Sequence, residues 1–431
     1  MPVTDLPDWV GEQALPDNVW YVKRLAANDT RATKGKQYGP YIPKDFLFRV
    51  LPSLAGVTDP NPEAFIEACV DSHPDCRTVR VVWYNNKRTG LRVPGHVGHN
   101  SRAIDDPARP TRNEARITRW GGVRSALIDP DSTGALAVFV FVGAGTGDDA
   151  RALHVWVTEG PGQEEIIEDI VGPVEPGRGV LWHPGSVSDG GASPGRFLTS
   201  CSMTREQIPE AWLRRFPTPD EIVQRAVDLR ALQDQPADER LLRRRKCEFE
   251  IFRSVERELE LPMISGPFTS LDDFLDRSKT ILQRRKKRAG RSLELHVRAI
   301  LLEEAFVEGR DFNHDQPTDR RLRPDFLFPS QAAYRDPAFP AERLRMLAAK
   351  TTLKERWGQV LREADRIPVK HILTLQEGVS ESDFREITGA GIVLVVPQAL
   401  HQRFPKPVRS SLLTLEAFLA EVRLLSPELR A

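Results

Sequence analysis

The sequence predicts two parts: a β-rich first half, then an α/β second half in which helices pack on a mixed sheet. Three observations carry this. Short segments rich in β-branched and aromatic residues recur through residues 19–159, separated by Gly, Pro and Asn. Helical patterning of period 3.6 takes over from residue 218. Short apolar strands lie between and after those helices, the mark of a sheet covered by helices.

The first-half strands are "VWYVKRL" (19–25), "TVRVVWYNN" (78–86), "GALAVFVFV" (134–142) and "RALHVWVTE" (151–159). Residues 172–196 are dense in Gly and Pro and read as the loop-rich end of that unit. The segment "IPEAWLRRFPTPDE" (208–221) reads as a hinge. Helices are expected over 218–232, 238–260, 270–288, 292–308 and 352–367. The strands among them are "DFLFP" (325–329), "LRMLAAK" (344–350), "KHILTLQ" (370–376) and "GIVLVVP" (391–397).

Composition excludes several classes. With 431 residues and 40% apolar content the chain can bury a sizeable core. The longest apolar run, "ALAVFVFVGAG", falls far short of the ~20 residues of a membrane helix. "MPVTDLPDWVGEQ" has no basic or apolar signal region, so a cytoplasmic protein is expected. Cys69, Cys76, Cys201 and Cys247 show no paired spacing and read as reduced thiols; His73 between the first two is not joined by a second ligand pair. The charge of 61 basic against 61 acidic residues argues against non-specific coating of nucleic acid. Two basic runs, "LLRRRK" (241–246) and "QRRKKRAGR" (283–291), read as solvated helix faces or as phosphate-facing patches.

The chemistry concentrates around "RPDFLFP" and "RMLAAKTTLKERW". Alternation puts Leu344, Met346, Ala348 and Lys350 on one strand face, and a lysine there costs several kcal/mol if buried unpartnered. Asp325, alone, reads as a turn residue at a strand start. Paired with Lys350 on an adjacent strand it becomes half of a metal-dependent phosphodiesterase site, with Asp on Mg²⁺ and Lys on the attacking water. A second acid is needed, and Ala348 stands where one two residues before the lysine would be. Glu363, beside the apolar stripe of 352–367, can supply it from the helix; otherwise it is a surface partner of Arg366. Glu294 is a further acid, with Ser292 as N-cap and Arg298 one turn on as sufficient structural reasons. Lys354, Glu355 and Arg356 form a charged triplet suited to G·C edges in a major groove, and a Thr352–Glu355 capping box is the structural alternative.

The motifs "RSLELH", "RPDFLFPS", "LRMLAAKTTLKERW", "READRI" and "HILTLQEGVS" closely resemble the C-terminal half of the EcoRII family of restriction endonucleases. "WYVKRLAANDT", "YGPYIP", "TRNEARITRWGG" and "DPDSTGAL" resemble its N-terminal half, in the same order. The resemblance implies a type IIE enzyme. Residues 1–202 would form a B3-like β-pseudobarrel that binds effector DNA, 203–217 a linker, and 218–431 a dimerising nuclease of PD-(D/E)XK fold. It implies CCWGG as target, Mg²⁺ as cofactor, and autoinhibition by the first domain until effector DNA binds. Asp325, Lys350 and Glu363 would form the metal-and-lysine core, with Glu294 as an added acid. Tyr334 and Lys354 match further positions tied to activity, and Lys354, Glu355 and Arg356 the segment that reads C·G pairs. In the first half, Tyr41, Arg112, Glu114 and Arg116 match DNA contacts, and Lys36 falls near one. Two basic family positions are here Pro110 and Ala115, and residues 91–109 resemble an insertion. The alternatives are a non-catalytic dimeric DNA-binding protein, or a nuclease of related but different specificity.

Overall fold

The computed structural model describes residues 5–33, 39–85, 114–183, 201–318, 322–353 and 357–425. Eight strands of the first half form one sheet: β1 (Val19–Arg24), β2 (Tyr41–Ile42), β3 (Glu63–Val70), β4 (Asp75–Tyr84), β5 (Glu114–Thr118), β6 (Leu136–Val142), β7 (Ala152–Val157) and β8 (Gly179–Trp182). Their order is β2-β5-β4-β3-β7-β6-β1-β8. β1 and β6 are buried almost throughout because both sheet faces are covered. Tyr21, Phe139 and Phe141 face one core, under the helix Lys44–Val50. Trp20, Val138 and Val140 face the other, under the helix Pro161–Val171.

The Gly/Pro-rich stretch expected to be loop contains β8, paired with β1. The pattern hid it because Gly179 is obligatory: a Cβ there would stand 2.3 Å from the Tyr21 hydroxyl. Nor are the cysteines reduced thiols. Cys69 and Cys76 face each other across β3 and β4 and are joined, as are Cys201 and Cys247.

In the second half, β9 (Asn313–His314), β10 (Phe326–Phe328), β11 (Arg345–Ala349), β12 (Lys370–Leu373) and β13 (Ile392–Val395) form a sheet ordered β13-β12-β11-β10-β9. β11, β12 and β13 run parallel, while β10 is antiparallel to β11 and to β9. The expected β-rich half and mixed-sheet α/β half are both present. Met346 and Ala348 pack into one core below β11, and Leu347 and Ala349 into the other.

The helices expected over 270–288 and 292–308 are one helix, Leu271–Glu303. Gly290 costs about 1 kcal/mol in a helix interior. A single contact face runs through it regardless. Arg285 pairs with Glu256, Arg288 with Glu248, and Ser292 donates to Glu248 at 2.9 Å. Ser292 is therefore no N-cap; Ser270 is. The helix stops at Glu303, and Ala305 beyond it is left-handed at φ 65°.

The same pairing takes part of each basic run out of solvent, while Arg243, Lys246 and Lys287 stay exposed as a solvated face would. Arg244 and Arg245 of the first run are buried on Glu303 and Glu175, and Arg285 and Arg288 of the second on acids of the facing helix Ala237–Ile264. Buried arginines survive only when paired this way. The expected hinge is also packed. Trp212 is buried with Ile222, Cys247 and Ile251, tying residues 201–216 to the second half. No helix among the described residues is long and apolar enough to cross a membrane.

Candidate active site

Pairing of β10 with β11 brings Asp325, just before β10, beside Ala348. One oxygen of Asp325 then receives two donors. The Ala349 N–H reaches Oδ2 at 2.7 Å and the Lys350 ammonium at 3.0 Å. The main chain of Lys350 is itself fixed, its N–H donating to the Leu373 carbonyl of β12 at 2.9 Å. This pair is what makes a lysine at the end of an apolar strand tolerable.

Burial pushes the Asp325 carboxyl above its usual range; Lys350 opposes this and Glu294 adds to it. Burial opposes charge on Lys350 as well, yet Asp325, then Glu363 and Glu294, hold its ammonium above the usual lysine range. Glu363 is pushed up to about 7, first by burial, with Lys350 and Lys370 opposing and Asp325 reinforcing. Asp325, Glu363 and Lys350 thus share one electrostatic environment.

Glu363 does not ride on a long helix. The expected helix 352–367 is regular only over Trp357–Val360 among the described residues. The chain then turns, with Ala364 left-handed at φ 50°. The reason is Lys370. Its ammonium donates to the carbonyls of Glu363, Ala364 and Ile367 at 2.6, 3.0 and 3.0 Å, oxygens a continuing helix would have used. Pro368 forbids continuation in any case. The Glu363–Arg366 pair does not form. Arg366 instead donates to the carbonyls of Tyr334, Asp336 and Phe339, and the buried Tyr334 accepts the Arg366 N–H at 3.4 Å. Tyr334 therefore props the turn that carries Glu363.

Glu294 comes from the helix Leu271–Glu303. Its Oε2 lies 3.4 Å from His314 Nε2 and 3.9 Å from Arg291. Arg298, its expected partner, binds Glu308 instead. His314, stacked on Phe326 at 5.0 Å, is a neighbour that sequence reasoning missed; the two-residue strand β9 gave no pattern to find it by.

Among the described residues no three His, Cys, Asp or Glu side chains form a ready-made metal cage. The donor set nevertheless fits a hard cation. Glu363 Oε2 is buried with no hydrogen-bond partner, Asp325 is close enough to act on that carboxyl electrostatically, and Mg²⁺ takes only one or two carboxylates with waters and phosphate. A cleft of about 510 Å³ opens beside Lys350, Thr351 and Gln359. It is also lined by Glu164, Glu165 and Glu168 from the helix Pro161–Val171, with Lys286 and with Arg24, which pairs with Glu164 and Glu168.

A second cleft of about 470 Å³ lies around Tyr41, Glu114 and Arg116. Tyr41 and Arg116 are register partners on β2 and β5. Arg116 is buried, donating to the Gly39 carbonyl at 2.9 Å and to Glu114 at 3.1 Å. Lys36, Arg112, Lys354, Glu355 and Arg356 lie outside the described residues.

Residues 14–186 match the family described as restriction endonuclease EcoRII, N-terminal, and residues 252–419 match EcoRII C terminal. The chain is 40% identical over 418 residues to the type II restriction enzyme EcoRII of Escherichia coli, covering 96% of each. Among solved structures it is similar to metal-depleted Ecl18kI in complex with uncleaved DNA, at 21% identity and TM-score 0.41, over 51% of this chain and 82% of that one. It is also similar to the B3 domain of UbaLAI restriction endonuclease with cognate DNA, at 16% identity and TM-score 0.26, over 42% and 98%.

Proposed function

The chain belongs to the EcoRII family and is a type II restriction endonuclease, and from that premise we propose that it hydrolyses duplex DNA at CCWGG-like sites, with Mg²⁺ as cofactor and activation by a second, effector copy of the site. The observation that carries the catalytic part is the Asp325–Lys350 pair at 3.0 Å, together with the orphaned oxygen of Glu363, a carboxyl on which both residues act electrostatically. Asp325 and Glu363 would hold the metal ion, which when bound supplies positive charge to the scissile phosphate. Lys350 orients the attacking water and offsets charge on the phosphorane. Glu294 adds negative charge near the same lysine, and Tyr334 keeps the Glu363 turn in place. Lys354, Glu355 and Arg356, directly beyond Lys350, are read as the base-contacting triplet.

Residues 1–202 are proposed to be the effector-binding domain and 218–431 the catalytic domain, which pairs with a second copy across the two strands of the site; the connecting segment 203–217 is packed on the catalytic side. Lys36, Tyr41, Arg112, Glu114 and Arg116 would contact effector DNA. Autoinhibition is supported by the helix Pro161–Val171, which walls the cleft beside Lys350 and would stand in the path of DNA. Effector DNA then acts by favouring the open arrangement.

The test uses a plasmid bearing several CCWGG sites, incubated with protein and Mg²⁺. Discrete fragments are expected from the parent and none from Lys350→Ala. Retarded but intact DNA with both proteins would defeat the catalytic assignment, and fragments mapping elsewhere would defeat the specificity.

A further inference from the structure

The cleft around Tyr41 and Arg116 is not built by the first half alone. Glu377 and Arg403, from the loops after β12 and β13, line the same cleft. The fit between the halves is close there. The Glu377 carbonyl accepts the Ala27 N–H at 2.9 Å, and a Cβ on Gly378 would stand 2.4 Å from the Ala27 Cβ. The Glu377 carboxylate lies against Gly177, where a Cβ would come within 3.2 Å of Oε1. Its field also reaches the buried Tyr21 hydroxyl on the cleft floor.

We propose that Glu377 and Arg403 of the nuclease half are part of the effector site, with Glu377 as an anionic placeholder that a DNA phosphate displaces and Arg403 as the cation that phosphate then engages. This rests on the reading that the first-half cleft takes effector DNA. The charges decide the assignment. Lys23 is paired with Asp29 at 2.6 Å, Arg24 with Glu164 at 2.9 Å, and Arg116 with Glu114 at 3.1 Å. Arg403 is held far more loosely, its Nε 3.9 Å from Glu377, with its side chain 47% exposed. It therefore gains most from a phosphate, and Glu377 loses most.

Displacement of Glu377 also reaches the catalytic strand. Gln376, one residue earlier, accepts the Leu353 N–H at 2.7 Å and donates to the Gly378 carbonyl at 2.9 Å. Leu353 is three residues past Lys350 and adjoins the 354–356 triplet. Effector binding and the positioning of the catalytic segment thus share one short loop.

The experiment measures the concentration of a short CCWGG duplex that half-activates the full-length enzyme on single-site DNA, at several salt concentrations. Glu377→Gln should lower that concentration by about tenfold. Arg403→Gln should raise it by about tenfold and reduce the salt slope by about one. The opposite signs exclude general unfolding as the explanation. If Arg116→Gln abolishes activation while neither of the two variants shifts it, this inference fails and the effector reading stands. If Arg116→Gln and Tyr41→Ala also leave activation untouched, the effector reading falls and takes the inference with it.

Discussion

The Lys370 ammonium donates to the main-chain carbonyl of Glu363 at 2.6 Å, so a buried lysine on β12 sets where the second acid sits. Lys370→Met would strip donors from three carbonyls at once. Unsatisfied carbonyls cost about 1–3 kcal/mol each when water cannot replace the donor. The expected loss is about 2–4 kcal/mol in urea denaturation, together with a smaller rise in melting temperature on adding Mg²⁺. A variant as stable as the parent, with the same Mg²⁺ response, would show that the turn holds itself.

Glu363 gives a pH signature in the absence of metal. Its carboxyl is pushed up to about 7, from the ordinary 4.5 of a free glutamate. Between those values the folded chain keeps a proton the unfolded chain has lost, so stability falls as pH rises through that window. Partial solvent access reduces the effect to roughly 1–2 kcal/mol. Glu363→Gln should therefore be more stable than the parent at pH 8 and no more stable at pH 4. Mg²⁺ should stabilise the parent at pH 8 and leave the variant unmoved. An equal response of both proteins to Mg²⁺ would remove Glu363 from the metal site.

Much of this was legible in the sequence, for physical reasons. β1, β6 and β11 are long enough, and covered on enough faces, for burial to write itself into a pattern. Lys350 was found because it follows β11, and Asp325 because it opens the apolar Phe326–Phe328. The helix after Lys350 was misjudged because Lys370, a lysine six residues past Ala364 and silent in any local pattern, takes the carbonyls that would have propagated it. The basic runs misled similarly. Their arginines look solvated in one dimension, but the neutralising glutamates are 29 to 70 residues away in sequence. His314 escaped notice because a two-residue strand has no period.

Lys350 and Asp325 stabilise each other's charge, and this predicts an asymmetry between two variants. Lys350→Met leaves Asp325 buried without its cation. Cleavage should drop by at least about 100-fold, since a preorganised cation at a developing charge is worth that much. Binding to duplex DNA without metal should persist, because the rest of the DNA-facing surface is unchanged. Lys350→Arg keeps the charge but not the compact ammonium, and should recover less than a tenth of the parental rate. Full activity in Lys350→Arg would mean that charge alone, not water placement, is its role.

Glu175 joins the halves. Its Oε1 lies 2.7 Å from Arg245 and 3.3 Å from Arg288. Burial alone would push its carboxyl up, but Arg288, Arg245 and Arg178 outweigh it and hold it at about 2. A depressed carboxyl contributes above its unfolded value near 4.5 and loses that contribution as pH falls through 2. Across pH 5–9 this latch should thus be insensitive to pH. A shift of that size corresponds to roughly 3 kcal/mol. If part of it is lost when the halves separate, Glu175→Gln should favour the open arrangement by up to about 100-fold. The measurable outcome is faster cleavage of single-site DNA without effector, at every pH from 6 to 9. Parental dependence on effector in Glu175→Gln would mean that the latch joins the halves without restraining the nuclease.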